Sequence, residues 1–343
     1  MNKSFGYFKE QVDNQNHWLS TALCLTQNKS PFYQIYTGGE HERFMLATPK
    51  FKCHWGQFLH ADHAYYAGIR LWRNDIDICP EDMPVCPISS ADIEQYKQQF
   101  LLNQNPNAYQ YWANFYAQKL LSSQKHFLHQ GDWKIYPVYF DKQKHNNTFC
   151  FFSQISFKIL DNIDQQAQYF DWDGFPFESV ISLKNLPDEF NGRVKWWRKK
   201  IIENTCPPIL FWWHTHMQCF VLVDGHARLK AYQLENKLPM ALCVSAIQFH
   251  KMDNFSTERI KQRLSTLQGL KRSLEKKEIA KEKIDLKLIN DLVMNVYQDH
   301  SYESLTSIPK VLANLDAIFQ QDLSALLLRY PQEDSFLREL SHF

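Results

Sequence analysis

Apolar residues recur at helical spacing through residues 90–124. This periodicity predicts two packed helices, the first capped by Ser90 and beginning at Ala91, with an interruption at Asn105-Pro106. The apolar positions of the second helix are Tyr109, Trp112, Phe115, Tyr116 and Leu120. The stretch therefore predicts a helical pair inside an N-terminal half whose other segments follow a different pattern.

The rest of the N-terminal half carries the pattern of strands and loops. Residues 1–90 mix short apolar stretches with turn signals, which predicts irregular strands and loops. Residues 133–140 and 148–152 are rich in aromatic and β-branched side chains and flank a polar stretch, so they predict a hairpin. Acidic, turn-prone residues at 161–174 predict a domain boundary near residue 172.

A regular alternation of strands and helices follows this boundary. The predicted order is strand, helix, strand, strand, helix, strand, over residues 179–183, 193–203, 209–213, 219–223, 227–235 and 240–244. Beyond residue 254 the apolar residues return to helical spacing. The pattern predicts the α+β fold class in three parts, which are an N-terminal α+β region of unknown type at 1–172, a mixed-sheet domain at 173–252 and a helical C-terminal region at 253–343.

Composition narrows the function classes. The 38 Lys and Arg residues against 37 Asp and Glu leave a formal net charge of +1, so no global charge attracts DNA or another polyanion. The eight Cys residues form no CxxC pair, which favours free thiols in a reducing compartment. We expect a cytoplasmic protein without a membrane span, because the N-terminus has no secretory pattern and no apolar run approaches about 18 residues.

Candidate chemistry concentrates where a predicted strand runs through a glycine directly into a helix, in the segment Asp224-Gly225-His226-Ala227-Arg228. Glycine lets the backbone turn sharply and approach a ligand, and the N–H groups of the helix start carry partial positive charge. Arg228 adds a forked, permanently charged donor, and His226 adds a donor that titrates near neutral pH. The turn therefore predicts a phosphate site, in which Asp224 holds a metal or orients a hydroxyl.

This segment resembles the signature turn of the ParB/sulfiredoxin superfamily, in which a strand ending in Gly opens a helix over a bound nucleotide. It is similar to the Asp-Gly-His-His-Arg form of the free-serine-kinase branch. The resemblance includes the proline-led strand Pro207-Pro208-Ile209-Leu210 and the strand at 237–242, and it covers about residues 178–250. It implies a ParB/sulfiredoxin-like mixed sheet that binds ATP, ADP or CTP, with magnesium, through Asp224, Gly225, His226 and Arg228.

Two positions depart from the family pattern. Ala227 stands where the serine-kinase form has its second His, and His226 stands where sulfiredoxins carry their reactive Cys, so no thiolate is offered for sulfinic acid reduction. The resemblance also implies a carboxylate base at the start of the domain, for which the available acids are Glu178, Asp188 and Glu189. The implied function is binding of a nucleotide or phosphorylated small molecule, and the implied enzyme is a kinase or nucleotidase. Its catalytic candidates for phosphoryl transfer or nucleotide hydrolysis are Asp224, His226 and Glu178.

Other interpretations of the chain stay open. Turns of this kind also occur without ligands, in which case Arg228 pairs with a neighbouring acid and His226 caps or stacks. The aromatic content of 15% and the unplaced N-terminal half favour a second class, an immunity protein, antitoxin or phage-defence component that binds a cognate toxin or another protein. A DNA-binding, partition-like protein is a third class, which the net charge and the lack of a helix-turn-helix disfavour.

Two further clusters carry reactive side chains. The densest metal-capable group is His54, His60, Asp62 and His63, but its spacing fits no strong ligand pattern and we predict no metal site there or at His214-Thr215-His216. Residues 196–200 read Trp-Trp-Arg-Lys-Lys on a predicted helix. They predict one buried Trp, one partly exposed Trp and a solvated basic face, with stacking on a base as the alternative.

Overall fold

The computed structural model describes residues 6–26, 31–38, 43–50, 52–60, 66–73, 82–85, 87–102, 107–141, 154–156, 163, 167–171, 180–214, 219–247 and 310–329. Apart from Ile247, these residues belong to one compact unit made of residues 1–246 and 305–343. They form helices and two sheets, so the predicted α+β fold class is confirmed.

The elements of the described residues are as follows in chain order. The strands are β1 (Gly6–Val12), β2 (Trp18–Leu25), β3 (Gln34–Gly38), β4 (Arg43–Ala47), β5 (Lys52–His60), β6 (Tyr66–Arg73), β7 (Gly131–Asp141), β8 (Gln154–Ser156), β9 (Ala167–Asp171), β10 (Val180–Ser182), β11 (Ile209–His214), β12 (Cys219–Asp224), β13 (Ala241–Ile247) and β14 (Lys310–Val311). The helices are α1 (Ser90–Leu102), α2 (Ala108–Ser122), α3 (Gly192–Ile202), α4 (His226–Leu234) and α5 (Leu315–Arg329).

The larger sheet has the strand order β1-β2-β7-β13-β11-β12-β10, with β8 beside β7. It is mixed, because β1, β2 and β7 pair antiparallel while β11 pairs antiparallel with β12 and parallel with β13. The strand β10 runs parallel to β12. Strands from both sides of the predicted boundary near residue 172 thus lie in one sheet, which is not divided there. Residue 172 itself lies outside the described residues.

The predicted order strand, helix, strand, strand, helix, strand is confirmed as β10, α3, β11, β12, α4 and β13. Every residue of β11 is buried, as expected for an apolar run in a strand covered on both faces. Helix α3 follows Asn191, whose side chain accepts a hydrogen bond from the backbone N–H of Arg193 at 2.8 Å. Its buried residues Val194, Trp197 and Ile201 share one face at helical spacing.

The predicted helical pair is confirmed as α1 and α2, although α1 begins one residue earlier than expected. Ser89, rather than Ser90, caps α1. The Ser89 hydroxyl accepts from the Asp92 N–H at 3.2 Å, and the Asp92 carboxylate accepts from the Ser89 N–H at 2.7 Å. These two reciprocal hydrogen bonds form a capping box. In the sequence, a capping box is indicated by an acidic residue three positions after the N-cap. Helix α2 packs on β1, β2 and β7.

The smaller sheet is more regular than the predicted strands and loops of residues 1–90. Its order is β14-β3-β4-β5-β6-β9, and β3 to β6 form an antiparallel meander. Helix α5 covers this sheet by burying Leu315, Phe319 and Leu323 against Met45 and Trp55. The predicted hairpin partner at 148–152 and the predicted helices at 253–309 lie outside the described residues, whereas β7 pairs antiparallel with β2.

The main hydrophobic core joins the two halves of the chain. It contains Leu23, Trp112 and Trp133 from the N-terminal half together with Trp212 and Leu242 from the second half. A second cluster, with Phe211 and Leu222 among its members, lines the opposite face of the larger sheet. Most of the aromatic side chains that the structure describes are therefore buried in the core or packed against it. None of the helices in the described part of the chain combines the length and apolar character that a membrane crossing needs.

Candidate anion-binding site

The turn between β12 and α4 has a backbone that only glycine adopts without strain. Gly225 has φ 103° and precedes α4 directly, so it forms the N-cap of this helix. A Cβ at this position would lie 2.7 Å from Ile209 Cγ2 and 3.0 Å from Arg228 Nε. Both the dihedral angle and the space therefore require glycine. Since glycine has no side chain, α4 begins without a side-chain cap for its first N–H groups.

Arg228 folds back over this turn and is almost fully buried, with 1% of its side chain exposed. Its Nη2 atom donates to Asp224 Oδ2 and to the Tyr116 hydroxyl, which is 3.0 Å away. Burial by itself lowers the pKa of the guanidinium, but the Asp224 carboxylate more than offsets this and holds the pKa above its usual value. Arg228 is therefore charged. Its Nε and Nη1 atoms form no hydrogen bond with any part of the chain that the structure describes.

Tyr116 brings α2 into the same network. Its hydroxyl lies 2.7 Å from the carbonyl oxygen of Pro208 and 3.0 Å from Asp224 Oδ2, and it shares one proton between these acceptors. Complete burial raises the pKa of Tyr116 well above its usual value, and the negative charge of Asp224 raises it further. The hydroxyl thus stays protonated, and it both accepts from Arg228 and donates to Asp224 or Pro208.

A second guanidinium packs on the same aromatic ring as the first. The Cζ atoms of Arg228 and Arg193 lie 5.2 Å and 4.9 Å from the centre of the buried Trp197 ring. Arg193 also stacks on Trp196 at 4.6 Å and donates to the carbonyl oxygen of Ile88. Partial burial lowers the pKa of Arg193, and the charge of Arg228 lowers it further. The two cations are thus close enough to repel each other.

The charges around the turn do not balance. Among the described residues, two guanidinium groups and the start of α4, which carries about half a positive charge, interact with one carboxylate, that of Asp224. An additional anion would restore the balance, and phosphate oxygens are suitable acceptors for helix N–H groups and for arginine. The arrangement is therefore suited to binding an anion.

The four residues predicted to bind phosphate lie together in the structure. Asp224 ends β12, Gly225 makes the turn, and His226 is the first residue of α4 and is 5% exposed. The alternative pairing of Arg228 with a neighbouring acid also occurs, because its partner is Asp224. The predicted base Glu178 lies outside the described residues, and the other two available acids, Asp188 and Glu189, are exposed before α3.

Sequence reasoning missed Tyr116 and Arg193. Tyr116 had no distinguishing signal, because it belongs to the apolar face of α2 and reads as a core residue. For Arg193 the sequence contained a weak signal. This residue stands in the first turn of α3, where the partial positive charge of the helix start disfavours a cation and where no acidic residue is present.

The other clusters singled out in the sequence lie on α3, β5 and β11. Trp197 is buried and Trp196 is partly buried, as predicted for this pair. Within the described ranges, no group of three or more His, Cys, Asp or Glu side chains is arranged to hold a metal ion. His54 and His60 lie on β5 and His214 ends β11, whereas Asp62, His63 and His216 are outside those ranges.

The chain matches no family model, no curated protein and no solved structure. The protein is thus classified by its own architecture. It is an α+β protein in which a strand leads through a glycine in the left-handed conformation into a helix without a side-chain cap, and two arginines share one Trp ring near this turn. The resemblance to the ParB/sulfiredoxin superfamily therefore stays a prediction from the residues of this turn and of its flanking strands.

Proposed function

We propose that the protein binds a phosphate-bearing small molecule, of which ATP, ADP and CTP are candidates, at the turn between β12 and α4. The observation that carries the proposal is the buried Arg228 guanidinium, whose Nε and Nη1 atoms have no hydrogen-bond acceptor among the described residues. A buried donor without an acceptor costs about 1–3 kcal/mol. A phosphate oxygen at the start of α4 would supply the acceptor and would also meet the N–H groups of the first turn.

A ParB/sulfiredoxin-like fold for residues 178–250 is part of this proposal. The order β10, α3, β11, β12, α4, β13 and the glycine at the β12–α4 turn support it. In such an arrangement the nucleotide phosphates lie over the start of the helix that follows the glycine. His226 and Ala227 differ from the residues of the family pattern. These differences do not remove the backbone N–H groups of the turn, because the N–H groups do not depend on the side chain.

The proposal assigns binding rather than a reaction to these residues. Asp224 Oδ2 already accepts hydrogen bonds from Arg228 and Tyr116, so its role is to position the arginine. A magnesium ion would accordingly arrive with the nucleotide phosphates, as is usual for this strongly hydrated cation. Phosphoryl transfer or nucleotide hydrolysis would need a base beside the ligand, and the candidate Glu178 lies outside the described residues.

Ligand-induced thermal stabilisation tests this proposal. We expect ATP, ADP or CTP, with or without magnesium, to raise the melting temperature of the full chain, because a ligand that binds only the folded state stabilises it. The variant Ala227→Asp puts a carboxylate in the first turn of α4, where it favours the helix but repels phosphate. It should lose the nucleotide response, and its melting temperature without ligand is measured as well because Ala227 packs against the main core.

The matched control is Ala91→Asp, which puts the same charge in the first turn of α1 at an exposed position. This variant should keep the nucleotide response. A second readout is isothermal titration calorimetry on all three proteins, which does not depend on thermal unfolding. A parent protein that shows neither a melting shift nor binding heat with any of the nucleotides would exclude the proposal.

A protein-binding role is the second candidate, and the exposed apolar residues at one edge of the larger sheet favour it. Among the described strands β1 is at this edge, and Tyr7, Val12 and Leu19 on β1 and β2 are between 46% and 54% exposed. Edge strands with exposed apolar side chains are surfaces to which a partner strand is added. An immunity protein or antitoxin would use such a surface for its cognate toxin.

The test for this role is complex formation with the product of the neighbouring gene, measured by size-exclusion chromatography with light scattering. Tyr7→Lys should abolish the complex, whereas Gln118→Ala, an exposed change on α2, should leave it intact. If the two proteins elute separately at micromolar concentration, this second candidate is withdrawn, and the phosphate proposal is unaffected.

A further inference from the structure

We infer that Arg193 of α3 is the ligand-contacting cation of the proposed phosphate site, and that it makes the site select a dianionic phosphate monoester over a monoanionic phosphodiester. The inference rests on the proposed function and extends it from a site to a ligand class. It assigns different roles to the two arginines, with Arg228 inside the protein and Arg193 on its surface.

Exposure and contacts distinguish the two guanidinium groups. Arg228 is 1% exposed and is held by Asp224 and Tyr116, whereas Arg193 is exposed as a whole residue although its guanidinium is partly buried against the two Trp rings. Both pack on the same ring of Trp197, so Arg193 lies within the electrostatic reach of Arg228 and Asp224. A ligand that approaches the start of α4 from solvent would therefore meet the Arg193 guanidinium as its outer cation.

The position of Arg193 in α3 has no explanation in the helix itself. A cation in the first turn opposes the partial positive charge of the helix start. Arg198, farther along the same helix, has a carboxylate partner, since its Nε lies 2.6 Å from Glu235 Oε1. For Arg193, the described residues provide the carbonyl of Ile88 and two Trp rings but no carboxylate within salt-bridge distance. Its charge is therefore left for a ligand to balance.

The charge count indicates a dianion. Arg193, Arg228 and the start of α4 contribute about two and a half positive charges, and Asp224 removes one of them. A phosphate monoester carries about −1.5 to −2 at pH 7 because its second pKa is about 6. A phosphodiester carries a single negative charge at any pH near neutrality. The Coulomb attraction of this net charge of about +1.5 is therefore about 1.5 to 2 times stronger for the monoester than for the diester.

The experiment measures the affinity of the full chain for methyl phosphate and for dimethyl phosphate by ³¹P NMR titration. At pH 7.5 we expect the parent to prefer the monoester about tenfold, the usual size of one additional charge-assisted hydrogen bond. Arg193→Gln should reduce this preference to about twofold on the same scale. Arg193→Lys should keep most of it, and Arg198→Gln, the matched control on the same helix, should keep all of it.

The pH dependence gives an independent readout. Between pH 7.5 and pH 5.5 the monoester takes up a proton, since its second pKa is about 6. The preference of the parent for methyl phosphate over dimethyl phosphate should shrink over this range. This ratio is the readout because His226, at the start of α4, acts on both compounds. The preference of Arg193→Gln should change much less over the same range, whereas a merely structural role of Arg193 would give the variant the same pH dependence as the parent.

The outcomes separate the two proposals. If the parent binds neither compound although a nucleotide raises its melting temperature, this inference is overturned and the proposed function stands. If neither these compounds nor any nucleotide binds, both proposals fail. If the parent binds both compounds equally, or if Arg193→Gln keeps the full preference or weakens both ligands to the same extent, the role of Arg193 is overturned and the phosphate site stands. The melting temperature of Arg193→Gln, measured without ligand, verifies that the variant is folded.

Discussion

At the residue scale, the buried pair of Arg228 and Asp224 is the feature with the largest expected energetic effect. The carboxylate, the Tyr116 hydroxyl and the Trp197 ring together hold one charge that is almost entirely removed from water. A buried charge is tolerated only when it is paired and hydrogen-bonded, and the desolvation cost reappears when one partner is removed. The pair is therefore part of the folding core as well as of the proposed site.

We predict that Arg228→Met lowers the free energy of unfolding by about 3–5 kcal/mol, because it leaves the Asp224 carboxylate without its cation. Urea unfolding followed by Trp fluorescence measures the loss. The matched control is Arg198→Met, since Arg198 is 44% exposed in its ion pair with Glu235. An exposed pair contributes about 0–1 kcal/mol. Equal losses in the two variants would contradict the assigned importance of burial.

The glycine of the turn supports a second prediction. Gly225→Ala should lower the free energy of unfolding by about 1–3 kcal/mol, because φ 103° strains an L side chain and the new Cβ meets Ile209. Gly192→Ala is the control, since a Cβ there has nothing within 4 Å and alanine favours a helix. Differential scanning calorimetry compares the two. A Gly225→Ala protein as stable as the parent would show that the turn does not require glycine.

At the scale of elements, α5 depends on a few contacts with the smaller sheet. Phe319 packs edge to face on Trp55 with 5.2 Å between ring centres, and the Arg43 guanidinium lies 4.1 Å from the centre of the Phe319 ring. The Asp322 carboxylate accepts from Lys52 at 2.7 Å and from the Trp55 indole N–H at 3.0 Å. Burial of apolar side chains and ion pairing thus both hold α5 against the smaller sheet.

We predict that Phe319→Ala weakens this docking by about 3–5 kcal/mol, the usual loss for removing a buried Phe side chain. Amide hydrogen exchange should accelerate in α5 and in β3 to β5 more than in β11 to β13. Leu328→Ala is the control on the same helix, because Leu328 is 87% exposed and its truncation should change stability by less than about 0.5 kcal/mol. Uniform acceleration over both sheets would argue against a local role.

At the scale of the whole molecule, the two halves of the chain contribute to one sheet and to one hydrophobic core. The sheet that contains β10 to β13 continues through β7 into β2 and β1, and the main core takes side chains from both halves. Tyr116 of α2 binds Pro208 and Asp224, so the proposed site is also completed by the N-terminal half. The turn is consequently a property of the assembled fold.

We predict that a fragment of residues 173–252 does not fold on its own. It would expose the edge of β13 and the apolar residues that pack on α2 and β2, and a chain of this length has little area to bury. The measurement is a ¹H–¹⁵N correlation spectrum together with urea unfolding, with the full chain as the control. Dispersed resonances and a cooperative transition in the fragment would instead support an independent domain that begins near residue 172.

The sequence predicted the local parts of the fold well. The elements from β10 to β13 lie within a few residues of their predicted bounds, since an unbroken apolar run such as β11 and a glycine between strand and helix are strong local signals. It could not predict that α2 reaches the turn. Tyr116 and Asp224 are 108 positions apart, and no local pattern specifies which distant helix covers a strand end.

By itself, the sequence determined the alternation of strands and helices, the glycine turn and the presence of Asp224 and Arg228 beside it. Periodicity and turn chemistry depend on neighbouring residues, which is why these features can be read along the chain. Only the tertiary structure decided that Arg228 is buried against Asp224 and Tyr116, and that Arg193 shares Trp197 with it. Charge and hydrogen-bond partners are chosen through space, and packing brings them together from distant parts of the chain.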